Sequence, residues 1–162
     1  MESTWQWQLS LVQWQIFGSL SFRANIQSVT LRRQLAEKLL TKIANINGMP
    51  LWNLAYVLRF EDGELTGRPH VHYVISLLPK NGATVQACMV HRQWWREIAG
   101  LSVINPIDHY APGDVLGYLT KGVTSGAVCY EIAKFGKADA VFCSPMARME
   151  MLRARAFGRK IT

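Results

Sequence analysis

Arg68-Pro69-His70-Val71-His72-Tyr73-Val74-Ile75 is the stretch from which the fold can be read. Side chains along a strand alternate faces, so His70 and His72 share one side while Val71, Tyr73 and Ile75 share the other. Two imidazoles on one face are a ready pair of metal ligands. A half-buried strand with histidines on its polar side would show the same short pattern. The preceding run, Leu54 to Glu61, alternates as well. Leu54, Tyr56, Leu58 and Phe60 lie on one face; Ala55, Val57, Arg59 and Glu61 lie on the other. A polar loop from Asp62 to Pro69, with Gly63 and Gly67 as turn residues, joins the two strands as a hairpin. Setting Glu61 opposite His70 pairs Phe60 with Val71, Leu58 with Tyr73, Tyr56 with Ile75 and Leu54 with Leu77, all apolar. A shift by two residues would keep the faces and change only the neighbours. The hairpin then has one core face and one face holding Glu61, Arg59, His70 and His72 together.

Upstream, Trp5, Trp7, Leu9 and Leu11 alternate with Gln and Ser, again a strand period, and a bulge near Leu11-Val12 explains the slip in phase that follows. Trp14 to Phe22 reads as a first core strand, with Gly18 permitting a close backbone approach. Val29 to Asn45 reads as a helix with a Leu35, Leu39, Ile43 stripe. Its Arg32, Arg33, Lys38 and Lys42 fall off that stripe, on a solvated face. Asn47-Gly48 ends it.

Downstream, Pro79-Lys80-Asn81-Gly82 is a turn, and the stretch to Val90 carries no clear period. His91 to Ala99 reads as a short helix with Trp94 and Trp95 packed in the core. Val103 to Ile107 is an edge strand, because Pro106 cannot donate to a ladder. His109 lies in the loop that follows, where a histidine is usually not a ligand. Asp114 to Lys121 reads as a helix with Asp114 as N-cap and Gly122 as stop, which sets Tyr118 and Lys121 on one side, three residues apart. Ala127 to Phe135 fits strand or helix. Met146 to Phe157 fits a helix whose Arg148, Arg153 and Arg155 suit phosphate contact or plain solvation.

The 162 residues correspond to about one domain, and 49% hydrophobic with 18% charged residues excludes a disordered chain. A net charge of +7 points to an anionic partner, most often nucleic acid. Cys88, Cys129 and Cys143 are scattered and odd in number, which indicates neither a zinc knuckle nor a disulfide framework; reduced intracellular thiols are the expectation. Gln6, Gln8, Gln13 and Gln15 interrupt the N-terminal apolar residues, so neither a signal peptide nor a membrane span is expected.

The order strand, helix, strand, strand, helix, strand, helix, with histidines on a central strand and a Tyr/Lys pair on a later helix, resembles the HUH endonucleases. Within them it resembles the one-tyrosine replication initiators (Rep proteins) of rolling-circle plasmids and viruses. The likeness spans about residues 14 to 125. It rests on Phe17-Gly18-Ser19-Leu20-Ser21-Phe22, on Gly67-Arg68-Pro69-His70-Val71-His72, and on Tyr118-Leu119-Thr120-Lys121. The resemblance implies an α+β fold of the ferredoxin/RRM-like kind, a central antiparallel sheet with flanking helices. It implies a nuclease domain over residues 1–162; the sequence has no Gly-x-x-x-x-Gly-Lys-Ser/Thr loop, so no helicase domain is expected, and the chain reads as either a stand-alone nicking protein or an isolated nuclease domain.

It further implies a nickase and ligase for single-stranded DNA or an origin hairpin, dependent on Mn²⁺ or Mg²⁺. His70 and His72 would be metal ligands, with Glu61 as third ligand ahead of Asp62 or Glu64 in the loop. Tyr118 would be the nucleophile and Lys121 its assistant or a phosphate holder. The second tyrosine of two-tyrosine members is replaced here by Gly122. The implied location is intracellular: cytoplasmic in a prokaryotic host, or nuclear for a eukaryotic virus. Two other classes remain in view. A tyrosine single-strand transposase shares the histidine pair but usually has a glutamine where Lys121 stands. An RRM-like binding module would act without catalysis, yet the chain lacks the aromatic run of RNA recognition.

Overall fold

The computed structural model describes residues 4–62, 67–111, 113–120, 133–135 and 139–161. The hairpin forms the middle of its sheet. Strands β2 (Ala55–Asp62) and β3 (Pro69–Ser76) pair antiparallel with Glu61 opposite His70, Phe60 opposite Val71, Leu58 opposite Tyr73 and Tyr56 opposite Ile75. This is the register with Glu61 opposite His70; a shift by two residues would have kept the same faces, and the structure settles between the two. Strand β1 (Ile16–Ser21) lies beside β3, with β4 (Ser102–Pro106) outside it as an edge. On the other side β6 (Asp139–Cys143) pairs with β2 and carries β5 (Ala133–Phe135). The antiparallel order is β4-β1-β3-β2-β6-β5. The chain is α+β, a central antiparallel sheet with helices on its faces.

Helices α2 (Val29–Ile46) and α3 (Val85–Ile98) cover one face. There Leu39, Leu40, Ile43, Cys88 and Trp95 pack with Leu20, Leu58, Phe60, Val71 and Tyr73. Trp95 is in the core as expected, and its indole N–H donates to the Ser21 carbonyl at 2.9 Å. The stretch without clear period belongs to α3, which Thr84 caps by accepting from the Ala87 N–H. The other face is covered by α1 (Thr4–Ser10), α4 (Asp114–Leu119) and α5 (Pro145–Ile161), through Leu9, Val115, Leu119, Ala147 and Met151 packed on Phe17, Val57 and Val74. The α5 start is tied to β2: Ser144 Oγ accepts both from Tyr56 N–H and from Ala147 N–H.

Several expectations are corrected. The alternating Trp5–Leu11 run is helical, not a strand. A strand there would need a ladder partner, and both sides of β1 are already taken by β3 and β4. Asp114 is not the cap of α4; Gly113, at φ +87°, holds that position and Asp114 begins the first turn. Arg32 is not solvated. It is 1% exposed, donates to the Ile26 carbonyl and pairs with Asp62 at 2.9 Å. Cys88 is a buried free thiol, but Cys143 is disulfide-bonded, against the expectation of reduced thiols; Cys129 lies outside the described residues. Of Ala127 to Phe135, only the strand Ala133–Phe135 is described. No helix among the described residues is long and apolar enough to cross a membrane.

Candidate active site

The histidine-bearing face is apolar toward the Ser76 end of β3 and polar toward the Pro69 end. Odd residues of β1 and even residues of β3 point to it, so the ladder sets Ser19 beside His72 and Ser21 beside His70. On the other side of β3, Arg59 is opposite His72 and Glu61 opposite His70. Helix α4 lies across this end, anchored in the second core cluster by Val115 and Leu119. Tyr118, adjacent to Leu119, is 46% exposed and reaches the same spot.

The polar groups interlock. Glu61 Oε1 lies 2.6 Å from His72 Nε2, and Ser19 Oγ lies 2.8 Å from His72 Nδ1. His72 is 4% exposed, and both of its ring nitrogens are engaged. The Tyr118 hydroxyl donates to Glu61 Oε1 at 3.4 Å, and its ring meets the His72 imidazole edge to face, centroids 4.8 Å apart. Phe17 stacks near His72 and sets its ring against Tyr118 and Tyr110, so an aromatic wall orients both the imidazole and the phenol. Arg59, buried under α4, donates to the Leu119 carbonyl at 2.7 Å and stands 3.9 Å from Glu61 Oε2. A guanidinium at a helix C-terminus favours the backbone dipole and holds this helix end against the sheet.

Burial alone would raise the pKa of Glu61. The hydrogen bond with His72 and the charges of His72, Arg59 and His70 outweigh it, and the carboxyl sits below its ordinary value. His70 is held below the ordinary imidazole value by burial first and the neighbouring His72 charge second. It is therefore a neutral donor group near pH 7, and its Nδ1 is buried without a hydrogen-bond partner among the described residues.

The sequence-derived set is thus partly brought together. Glu61, His70, His72 and Tyr118 share one site. Lys121 and Glu64 lie outside the described residues. Asp62 is not in the loop; it ends β2, and by alternation its carboxylate points to the α2 face, where it bonds Arg32. It is on the wrong side of the sheet to join the histidines. His109 is exposed in a short turn. Ser19, Phe17 and Arg59 received no role from the sequence. Applying the hairpin's pairing argument to β1 and β3 would have found Ser19, since it falls opposite His72 on the same face.

The resemblance implies a divalent cation at this site. Two imidazoles and a carboxylate on one face, with a buried unpartnered nitrogen on His70, are a suitable donor set for Mn²⁺ or Mg²⁺. No group of three His, Cys, Asp or Glu side chains among the described residues is already positioned around a common point, and His72 is bonded directly to Glu61. Loading a cation there means giving up that hydrogen bond. Set against protein-family models, curated proteins and solved structures, the chain matches none.

Proposed function

We propose that this chain nicks and rejoins single-stranded DNA at a specific site through a covalent tyrosine intermediate, initiating rolling-circle replication of a plasmid or virus. The observation that supports this most is the convergence of Tyr118, Glu61 and His72 from three separate elements, with separations of 3.4 and 2.6 Å. An ordinary phenol has a pKa of about 10 and attacks poorly until its proton is removed. The Tyr118 hydroxyl already donates to an ionised carboxylate. In the proposed step the hydroxyl proton passes to solvent while Tyr118 Oη attacks the scissile phosphorus. The new bond is Oη–P, the bond that breaks is P–O3′, and the 3′ oxygen takes a proton from solvent and leaves as a 3′-hydroxyl. The phosphodiester energy is kept in the 5′-phosphotyrosine, so the reverse attack by a 3′-hydroxyl reseals the strand.

Glu61, His70 and His72 would hold the cation, which when bound supplies positive charge to the non-bridging phosphate oxygens and orients the phosphorus. Ser19 and Phe17 keep the His72 ring in one orientation, and Arg59 keeps the end of α4 in place. Lys121 is assigned here as the aid to the phenolate or the phosphate. A silent RRM-like binder needs an open sheet face, whereas both faces of this sheet carry buried clusters.

The test is incubation of the full chain with a pool of single-stranded oligonucleotides and Mn²⁺. A mass increase on the peptide containing Tyr118 is expected, absent in Tyr118→Phe and dependent on added metal in a way that His70→Ala removes. Absence of any adduct from the wild-type chain refutes the proposal.

A further inference from the structure

The Phe17 ring that packs near His72 and Tyr118 is itself held by Tyr110, edge to face with centroids 5.3 Å apart. Tyr110 in turn is held by the edge strand. Asn105 of β4 lies directly opposite Phe17 in the ladder and so shares its face. Its Nδ2 donates to the Tyr110 hydroxyl at 3.0 Å. The amide is fixed as well, because Arg92 Nη2 donates to Asn105 Oδ1 at 2.6 Å. A guanidinium can only donate, so the amide oxygen must face Arg92, and the nitrogen is left for Tyr110. Arg92 belongs to α3, which covers the opposite face of the sheet. It also donates through Nε and Nη2 to the Ile104 carbonyl, at 3.0 and 2.6 Å. Ile104 is buried under α3, while Asn105 is on the histidine face. One guanidinium therefore grips β4 at consecutive residues and ties the two faces together at the sheet edge. From it an unbroken series of bonds and ring contacts runs through Asn105, Tyr110 and Phe17 to His72 and Tyr118. A phenyl ring makes no strong polar bond of its own, so Phe17 keeps one orientation only while its packed neighbours keep theirs.

We infer that Tyr110, Asn105 and Arg92 are positioning residues: they hold Phe17, and through it the Tyr118 phenol and the His72 imidazole, in the arrangement that attack on phosphorus requires. This rests on the proposed nicking function for the reaction and adds that α3, on the far side of the sheet, governs its rate. A reacting atom displaced by about 1 Å can lose about a hundredfold in rate. Asn105 is the link to break. Asn105→Leu removes both of its bonds at similar volume. Asn105→Asp keeps both with one reversed, because a carboxylate accepts from Arg92 and from the Tyr110 hydroxyl alike.

The test takes two readouts on the full chain. The first is the rate of Tyr118 adduct formation with Mn²⁺ and an oligonucleotide from the pool that forms the adduct. It is measured over an oligonucleotide concentration series, so that maximal rate and half-saturation are read apart. Asn105→Leu should lower the maximal rate about 10-fold with half-saturation unchanged, and Asn105→Asp should restore most of it. Tyr110→Leu should be no faster than Asn105→Leu, and the double variant no slower than Tyr110→Leu alone, because all three break one series. The second readout needs neither DNA nor metal. It is the fluorine NMR spectrum of the chain labelled with 3-fluorotyrosine, in which the Tyr118 resonance is the one missing from Tyr118→Phe. That resonance should move in Asn105→Leu and return in Asn105→Asp, since the Phe17 and His72 rings around Tyr118 set its field. If thermal melting shows that Asn105→Leu no longer folds, Tyr110→Phe, which removes only the hydroxyl, carries the test in the same direction. An unmoved resonance, or an Asn105→Asp chain as slow as Asn105→Leu, overturns the inference. The stated movement of the resonance in a chain that never forms an adduct refutes the nicking and leaves the positioning standing. Adduct formation by Asn105→Leu at the wild-type rate does the reverse.

Discussion

Replacing Gly18 by alanine should destabilise the protein even though alanine is the better strand residue. Gly18 lies in the middle of β1, between Phe17 and Ser19, and the Tyr73 ring of β3 lies over it. A Cβ built on Gly18 would stand 2.2 Å from Tyr73 Cε1, 2.4 Å from Cζ and 2.7 Å from Oη. Atoms cannot approach so closely, so either the ring or the strand must move. The ring has little freedom, since Tyr73 is fully buried in the cluster beneath α2 and α3. Overpacking of this kind costs about 1–3 kcal/mol. Expelling the aromatic altogether would cost roughly 3–5 kcal/mol. Against this, alanine returns about 0.5–1 kcal/mol of backbone entropy. The net loss is about 1 kcal/mol, which in a domain of this size lowers the melting temperature by roughly 2–4 °C.

Circular dichroism melts and urea midpoints of Gly18→Ala measure it. The double variant Gly18→Ala/Tyr73→Leu isolates the cause, because removing the ring should recover much of the alanine penalty as a coupling energy. A Gly18→Ala protein as stable as the wild type, or more stable, refutes the reasoning. So does a double variant whose losses simply add. Because β1 also carries Phe17 and Ser19, a displaced strand should slow adduct formation at Tyr118 as well.

The Tyr73 hydroxyl is buried with no hydrogen-bond partner among the described residues, so Tyr73→Phe should be neutral or stabilising by about 1 kcal/mol in urea unfolding. Ser19→Ala removes the group beside His72 Nδ1 and should cut the rate of Tyr118 adduct formation about 10- to 100-fold, with little change in melting temperature. His91 is buried against Trp94, and burial pulls its pKa from 6.5 down to about 4. The unfolded chain therefore takes up the proton first. Stability from this group is complete above pH 6.5, falls as pH drops toward 4, and amounts to roughly 3 kcal/mol in all. Urea midpoints at pH 7, 5 and 4 should show that fall in the wild type and a shallower one in His91→Leu; parallel profiles would show that His91 does not titrate in this way.

The chain's own pattern determined the centre of this protein. Alternation placed His70, His72, Glu61 and Arg59 on one face, since successive side chains of any strand must point to opposite sides. Apolar pairing limited the hairpin to registers that keep these faces, and the missing side chain at position 18 marked a close approach, which the Tyr73 ring rather than a backbone makes. What period could not decide was which partners each element would find. Trp5 to Leu11 alternates like a strand yet coils, because no free ladder remained beside β1. Arg32 sits off the apolar stripe of its helix yet is buried, because Asp62 at the end of β2 comes to meet it. The meeting of Tyr118 with Glu61 belongs to the same class: residues 57 positions apart are joined only because Leu119 and Val115 dock α4 on the sheet and Arg59 holds its last turn. Backbone stereochemistry acts within a few residues and can be read along the chain; burial and hydrogen-bond satisfaction are properties of the packed molecule, and only the tertiary structure decides them.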